Sequence, residues 1–324
     1  PGFEKCYIKK AYIVVLSNIK VFSSGDYISG RVTLELVNDC KIDSLCVKLK
    51  GKAEVKWTEH YGKTVPHYVT LLFCFSGNNT VGPGCHVYPF TFQIPDQELP
   101  SSFKGSNGKI LYTLEANLSR SMRLDCKAKA EFTVVHKANL KSDPLLMTPQ
   151  HSFTDKKMKL FTSGTVGMDV NIERTGFHQG EGIKVVASIQ NKSSRDIKPK
   201  YCLYRKYSYF AKGKRKVETK DILKEVGEVI PPSADQTVTR IITIPSTTCV
   251  SILNCNIIKA EYRLRKLPLV HWSTTLHNWA SSTSKASCDE IVVCMSLFIK
   301  GHLSPVVTGG MIKLQPDIHV YPFP

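Results

Sequence analysis

The densest run of chemically capable side chains lies between residues 198 and 216. Lys198, Lys200, Arg205, Lys206, Lys212, Lys214, Arg215 and Lys216 fall there with no acid among them. Tyr201, Tyr204, Tyr207, Tyr209 and Phe210 are interleaved. Cations set among aromatic planes suit phosphate groups, on a receptor tail or on inositol lipid headgroups. The same composition could stack nucleic-acid bases, which is the least favoured of these readings. It also fits a strand whose aromatics pack inward while its lysines are merely solvated. A second cluster, Lys127, Lys129, Lys137 and Lys141, is a candidate lining for a groove between domains. Solvated surface is the simpler account of that cluster.

Catalytic chemistry leaves no comparable mark. A nucleophile needs a base within reach and oxyanion donors on a shaped turn. No G-x-S-x-G, H-E-x-x-H or P-loop pattern occurs, and the histidines, among them His60, His67, His86, His178 and His271, stand apart. The 11 cysteines include no CxxC pair and no His/Cys cluster at ligand spacing. Neither a metal nor a cofactor is therefore expected, and the chain reads as a binding protein rather than an enzyme. In 324 residues a core needs no covalent staples, so the thiols are expected to be reduced, as in the cytosol. Three glycosylation triplets, at Asn78, Asn117 and Asn191, keep a secreted, glycosylated sandwich protein as an alternative. The net charge of +17 favours acidic partners. The longest apolar runs, such as Ala11 to Leu16 and Thr70 to Phe75, are too short to span a bilayer as a helix.

The elements that must hold these side chains are strands. Val32, Leu34 and Leu36 alternate with Arg31, Thr33 and Glu35, and Ala53, Val55 and Trp57 with Lys52, Glu54 and Lys56. Ile110, Tyr112, Leu114, Ala116 and Leu118 form one long face. In the second half Val166, Met168, Val170 and Ile172 do the same, as do Ile183 to Ile189 and Ile258 to Leu264. Period two with one apolar face predicts antiparallel sheets packed in pairs. Lys216 to Val226, the best stretch for a helix, reads as strand and turn.

A weak duplication runs through the pattern. Phe22-Ser23-Ser24-Gly25-Asp26-Tyr27-Ile28 reappears as Phe177-His178-Gln179-Gly180-Glu181-Gly182-Ile183. Phe92-Gln93-Ile94-Pro95 reappears as Ile242-Thr243-Ile244-Pro245, and the Ile110 strand as the Ile258 strand. Two sandwiches of one topology in tandem account for this most simply. The expected boundaries are 1–138 for the first, 139–163 for a linker with loop chemistry, and 164–270 for the second. Residues 271–324 form a divergent segment of unassigned structure, which would leave the second sandwich without a closing strand.

These residues resemble the arrestin family. In the N-domain the resemblance rests on Val21 to Asp26 with Ser29 to Val32, and on Gly84 to Pro95 with Leu99 to Phe103. In the C-domain it rests on Gly176 to Glu181, Asn191 to Ser194, Cys255 to Ile258 and Glu261 to Leu264. The pattern is most similar to the α-arrestins, or arrestin domain-containing proteins. The resemblance implies two immunoglobulin-like β-sandwiches and a cytoplasmic adaptor that associates peripherally with plasma membrane and endosomes. Such adaptors carry membrane receptors or transporters into endocytic sorting and link them to HECT-type ubiquitin ligases. A retromer-type sorting subunit with the same tandem fold is the alternative among binding proteins. Many family members hold the ligase through Pro-Pro-x-Tyr, whereas Pro231-Pro232 here is followed by Ser233-Ala234. A family member that captures thioredoxin does so through a C-domain cysteine, and Gly227 to Ile244 contains none.

Overall fold

The alternating faces become strands throughout. The computed structural model describes residues 8–16, 21–57, 60–64, 67–120, 123–136, 140, 143–157, 164–270 and 293–300. The first half contains β1 (Ile8–Val15), β2 (Val21–Phe22), β3 (Tyr27–Leu36), β4 (Cys40–Trp57), β5 (His60–Thr64), β6 (His67–Val81), β7 (Gly84–Gln93), β8 (Phe103–Lys104), β9 (Gly108–Ser119) and β10 (Cys126–Val134). They make one sheet in the order β1-β3-β7 and another in the order β2-β10-β9-β4-β5, with β6 also on β4 and β8 on β9. A one-turn helix, α1 (Pro144–Met147), follows, capped by the Asp143 carboxylate accepting from the Leu145 amide. The second half contains β11 (Gln150–Lys157), β12 (Gly164–Ile172), β13 (Gly176–His178), β14 (Gly182–Ser193), β15 (Ile197–Ala211), β16 (Lys214–Val226), β17 (Ala234–Thr243), β18 (Ile258–Val270) and β19 (Val293–Lys300). Its sheets run β11-β12-β14-β17 and β13-β19-β18-β15-β16.

The duplication is structural. Sheet order β1-β3-β7 corresponds to β12-β14-β17, and β2-β10-β9-β4-β6 corresponds to β13-β19-β18-β15-β16. The short strands β2 and β13 both add in parallel, to β10 and β19. The repeated turns match bond for bond. The Asp26 carboxylate accepts from the Ser23 amide at 2.7 Å, and Glu181 accepts from the His178 amide at 2.7 Å. Gly25 and Gly180 both sit at φ 80°, a backbone that suits glycine, and their amides donate to Ile94 and Ile244 carbonyls. Deeper in, buried Tyr112 donates to the Pro100 carbonyl at 2.7 Å, and Tyr262 donates to Cys249 at 2.6 Å.

Four expectations change against this frame. Residues 150–157, read as linker, form β11 and pair along β12. This edge strand is polar and partly wet on both faces, so its sequence lacks the alternation that marks a strand. The second sandwich does have its closing strand: β19, supplied from 293–300, pairs β18. Cys46 and Cys74 are joined in a disulfide rather than reduced, and Cys40 is also disulfide-bonded. The β4–β6 register sets Cys46 and Cys74 opposite each other, with Cα atoms 4.1 Å apart. That proximity is tertiary, since 28 residues separate them. Cys85, Cys126, Cys202 and Cys249 are free thiols. Finally, Asn191 is no glycan acceptor. Its buried amide nitrogen donates to the carbonyls of Arg195, Ile230 and Pro231, locking the end of β14 onto the loop before β17.

The two sandwiches share a seam. Tyr207, Tyr209 and Ala211 of β15, with Ile252, Cys255, Ile257, Ile258 and Ala260, join the buried cluster of the first sandwich. Phe103 meets Tyr207 edge to face at 5.0 Å. Strand β15 thus contributes Tyr201 and Leu203 to one core and Tyr207 and Tyr209 to the other.

Candidate docking surface

The basic run occupies β15, its turn and the start of β16. Lys212 (φ 48°) and Gly213 (φ 72°) form a two-residue hairpin loop with both central residues at positive φ. Strand alternation then sorts the predicted cations. Ile197, Tyr201, Leu203, Tyr207 and Tyr209 point to the buried side. Arg205 lies on that side too, its guanidinium 4.6 Å from the Tyr207 ring centroid and 3.9 Å from Glu218. Register places Lys214 opposite Ala211 and Lys216 opposite Tyr209, so these two share that side at the hairpin end. Lys198, Lys200 and Lys206 point the other way, joined by Arg215 opposite Phe210. The predicted patch is therefore two surfaces and a turn.

Neighbouring strands complete the outward surface. Lys224 lies opposite Cys202 on β16; on β18, Lys259 faces Ser208, Arg263 faces Tyr204, and Arg265 faces Cys202. None of these four belongs to the predicted run. Lys259, Arg263 and Arg265 were nevertheless legible as the outward positions between Ile258, Ala260, Tyr262 and Leu264. Only Asp221 and Glu261 bring negative charge to this face of β16, β15 and β18. Glu261 is shared by Lys206 at 3.6 Å and Arg263 at 3.7 Å, and Asp221 pairs with Lys224 at 2.7 Å. Lys198, Lys200 and Lys259 have no carboxylate assigned to them by the register.

Aromatic planes steady two of the outward cations. Arg265 lies 4.5 Å from the Tyr204 ring centroid, and Arg215 lies 5.5 Å from that of Phe210 while donating to Ser208 Oγ at 2.8 Å. Burial and a hydrogen bond to Asp221 push the Cys202 thiol up to about 11, which keeps it protonated and not nucleophilic. The hydrogen bond from Lys224 holds the Asp221 carboxyl below its ordinary value. Among the described residues no group of three His, Cys, Asp or Glu side chains is placed to hold a metal.

Of the second predicted cluster, Lys127 and Lys129 are described. Lys127 and Lys129 sit on β10, opposite Asn117 and Glu115, on the outward face of the first sandwich. Glu115 takes contacts from both Lys50 and Lys129, the latter at 3.2 Å. Burial alone would raise this carboxyl, but the two lysines more than offset it and hold it below the usual range. Lys137 and Lys141 lie outside the described residues.

Comparison with known proteins agrees with this architecture. Residues 13–141 match the model of the arrestin (or S-antigen) N-terminal domain, and residues 162–289 that of the C-terminal domain. The chain is 32% identical over 264 residues to arrestin domain-containing protein 4 of Mus musculus, covering 75% of this chain and 63% of that protein. It is 31% identical to its Homo sapiens counterpart over the same shares. Against thioredoxin-interacting protein of Rattus norvegicus it is 29% identical over 272 residues, covering 79% and 68%. The chain thus spans somewhat under two thirds of the first two relatives. No helix among the described residues is long and apolar enough to cross a membrane. With both domain models matched in order on two sandwiches of repeated topology, the chain belongs to the arrestin family, in its α-arrestin branch.

Proposed function

We propose that this protein is a cytoplasmic adaptor that docks acidic cytoplasmic segments of membrane receptors or transporters and directs their endocytic or endosomal sorting. The observation that carries the reading is the outward face of β16, β15 and β18. There Lys198, Lys200, Lys206, Arg215, Lys224, Lys259, Arg263 and Arg265 surround only Asp221 and Glu261. A sheet face of this kind offers fixed charge without a cavity, which suits an extended acidic segment. Anionic headgroups at the plasma membrane and endosomes would add to the same attraction. Linkage to a HECT-type ubiquitin ligase is part of the proposal. In this chain it does not run through Pro-Pro-x-Tyr, because Pro231-Pro232 is followed by Ser233-Ala234.

The test is affinity for acidic receptor or transporter tails, measured at two salt concentrations. Lys198→Glu, Lys200→Glu and Lys259→Glu together should weaken binding by about 1–2 kcal/mol, roughly 5- to 30-fold, and flatten its salt dependence. The same reversals at Lys214 and Lys216, on the opposite side of the hairpin, should do much less. Equal losses from both sets would remove the assignment to this face, and unchanged binding in the first set would remove the docking reading.

A further inference from the structure

The seam between the sandwiches is roofed by one turn of the first. Residues 105–108 join β8 to β9, with the Gly105 amide donating to the Gly108 carbonyl at 2.8 Å. The turn lies flush against the second sandwich. A Cβ on Gly105 would come within 2.6 Å of the Tyr209 hydroxyl, and one on Gly108 within 3.0 Å of Ile258. At its tip, exposed Ser106 reaches across and donates its hydroxyl to the Glu218 carboxylate on β16. The hydroxyls of Ser24, Ser29 and Ser188 bond within their own sandwich, to the Gln97 carbonyl, Thr91 and Thr237.

The contact rests on the sign of charge. Ser106 is a neutral donor to an anion, and the Asn107 side chain donates to Ser106 Oγ at 2.9 Å. The other oxygen of Glu218 is 3.9 Å from Arg205. Beneath it the Tyr209 hydroxyl is buried, and burial holds its pKa above the ordinary tyrosine value. The turn is flanked by Lys104, whose 3.2 Å ion pair with Glu131 is largely open to solvent, and Lys109, 3.8 Å from a mostly buried Glu54 carboxylate.

We propose that Ser106 is a phosphoryl acceptor, and that its modification unlatches the two sandwiches at this turn. The donor is a nucleoside triphosphate bound to a protein kinase. The Ser106 oxygen bonds to the γ-phosphorus and the bond to the bridging β-phosphate oxygen breaks. The nucleoside diphosphate leaves with that electron pair, and the hydroxyl proton passes to the kinase's base. Phosphoserine carries close to two negative charges at neutral pH and has lost the hydroxyl donor. It therefore faces Glu218 as a like charge, with the flanking Lys104 and Lys109 as new partners. The seam exposes Tyr209 and Ile258 when the turn lifts. This inference does not depend on the docking face, because its readout is contact between the sandwiches.

The test combines phosphosite mapping with hydrogen exchange on the full chain. Protein from cells treated with a phosphatase inhibitor should carry phosphate on Ser106, and a fully unmodified Ser106 peptide would overturn the acceptor assignment. Ser106→Glu should speed exchange about tenfold or more at residues 103–109 and 214–219, whereas Ser106→Ala should change it about two- to threefold. Adding Glu218→Lys to Ser106→Glu should restore protection by reversing the sign. Exchange of the β12 and β14 amides, remote from the turn, serves as the folding control. A Ser106→Glu protein that behaves as Ser106→Ala, or that Glu218→Lys does not rescue, would sink the latch.

Discussion

Charge sign at single residues governs what this protein's surface can do. Glu115 shows the logic outside the docking face. It lies in a row of lysines on β4 and β10, and its carboxyl is held below the ordinary value by Lys50 and Lys129 despite burial. A carboxyl whose native pKa is below its unfolded value stabilises the fold fully above the unfolded pKa, near 4.5, and loses that contribution as pH falls through the native one. Glu115→Gln should therefore be less stable than the wild type at neutral pH, and the gap should close as the pH falls below the ordinary carboxyl value. Urea melts of both proteins between pH 7 and pH 3 provide the check; a gap that widens on acidification would contradict the pairing. At Arg205 position decides a different outcome. Counted by composition it belongs to a basic patch, yet it lies over Tyr207 beside Glu218 at the seam.

Among the elements, the β15–β16 hairpin carries the most consequence. Its 15- and 13-residue strands are joined by the shortest common hairpin loop, and Lys212 holds a left-handed backbone that a lysine adopts at a cost. Lys212→Asn keeps the turn with a residue better suited to it, and should stabilise the protein by about 0.5–1 kcal/mol. A thermal melt showing destabilisation would mean that the lysine side chain holds something the turn geometry does not reveal. Little of this was legible beforehand. The run of cations was plain in the sequence, but their division between two faces depends on which aromatic positions are buried. Edge strands were the harder case. Polar β11 has no apolar face, so it lacks the pattern that exposed the central strands, and the apolar run of β19 reads equally as a strand or a short helix.

For the whole molecule, the decisive feature is that one strand serves two cores. Tyr201 and Leu203 pack in the second sandwich, and Tyr207 and Tyr209 two turns of the pleat further on pack with the first. Melting of either sandwich therefore strips contacts from the other, and the wild type should unfold in one cooperative transition. Tyr207→Ala should cost about 3–5 kcal/mol and split that transition in two, while Tyr207→Phe, which keeps the ring against Phe103, should stay near the wild type. Calorimetry distinguishes these outcomes, and an unsplit transition in Tyr207→Ala would show that other contacts hold the seam.

By itself the sequence determined that the chain is built of one-sided strands, that one sandwich pattern is written twice, and that it is strongly cationic. Those properties follow from alternation, repeated turns and charge, each of which is local along the chain. Tertiary structure decided the rest: which cations share a face, that Arg205 turns inward, that Cys46 meets Cys74, that Asn191 is locked inside, and that Ser106 touches Glu218. Each of these joins residues by strand register or by the packing of one sandwich on the other, and neither is encoded in the spacing of neighbours.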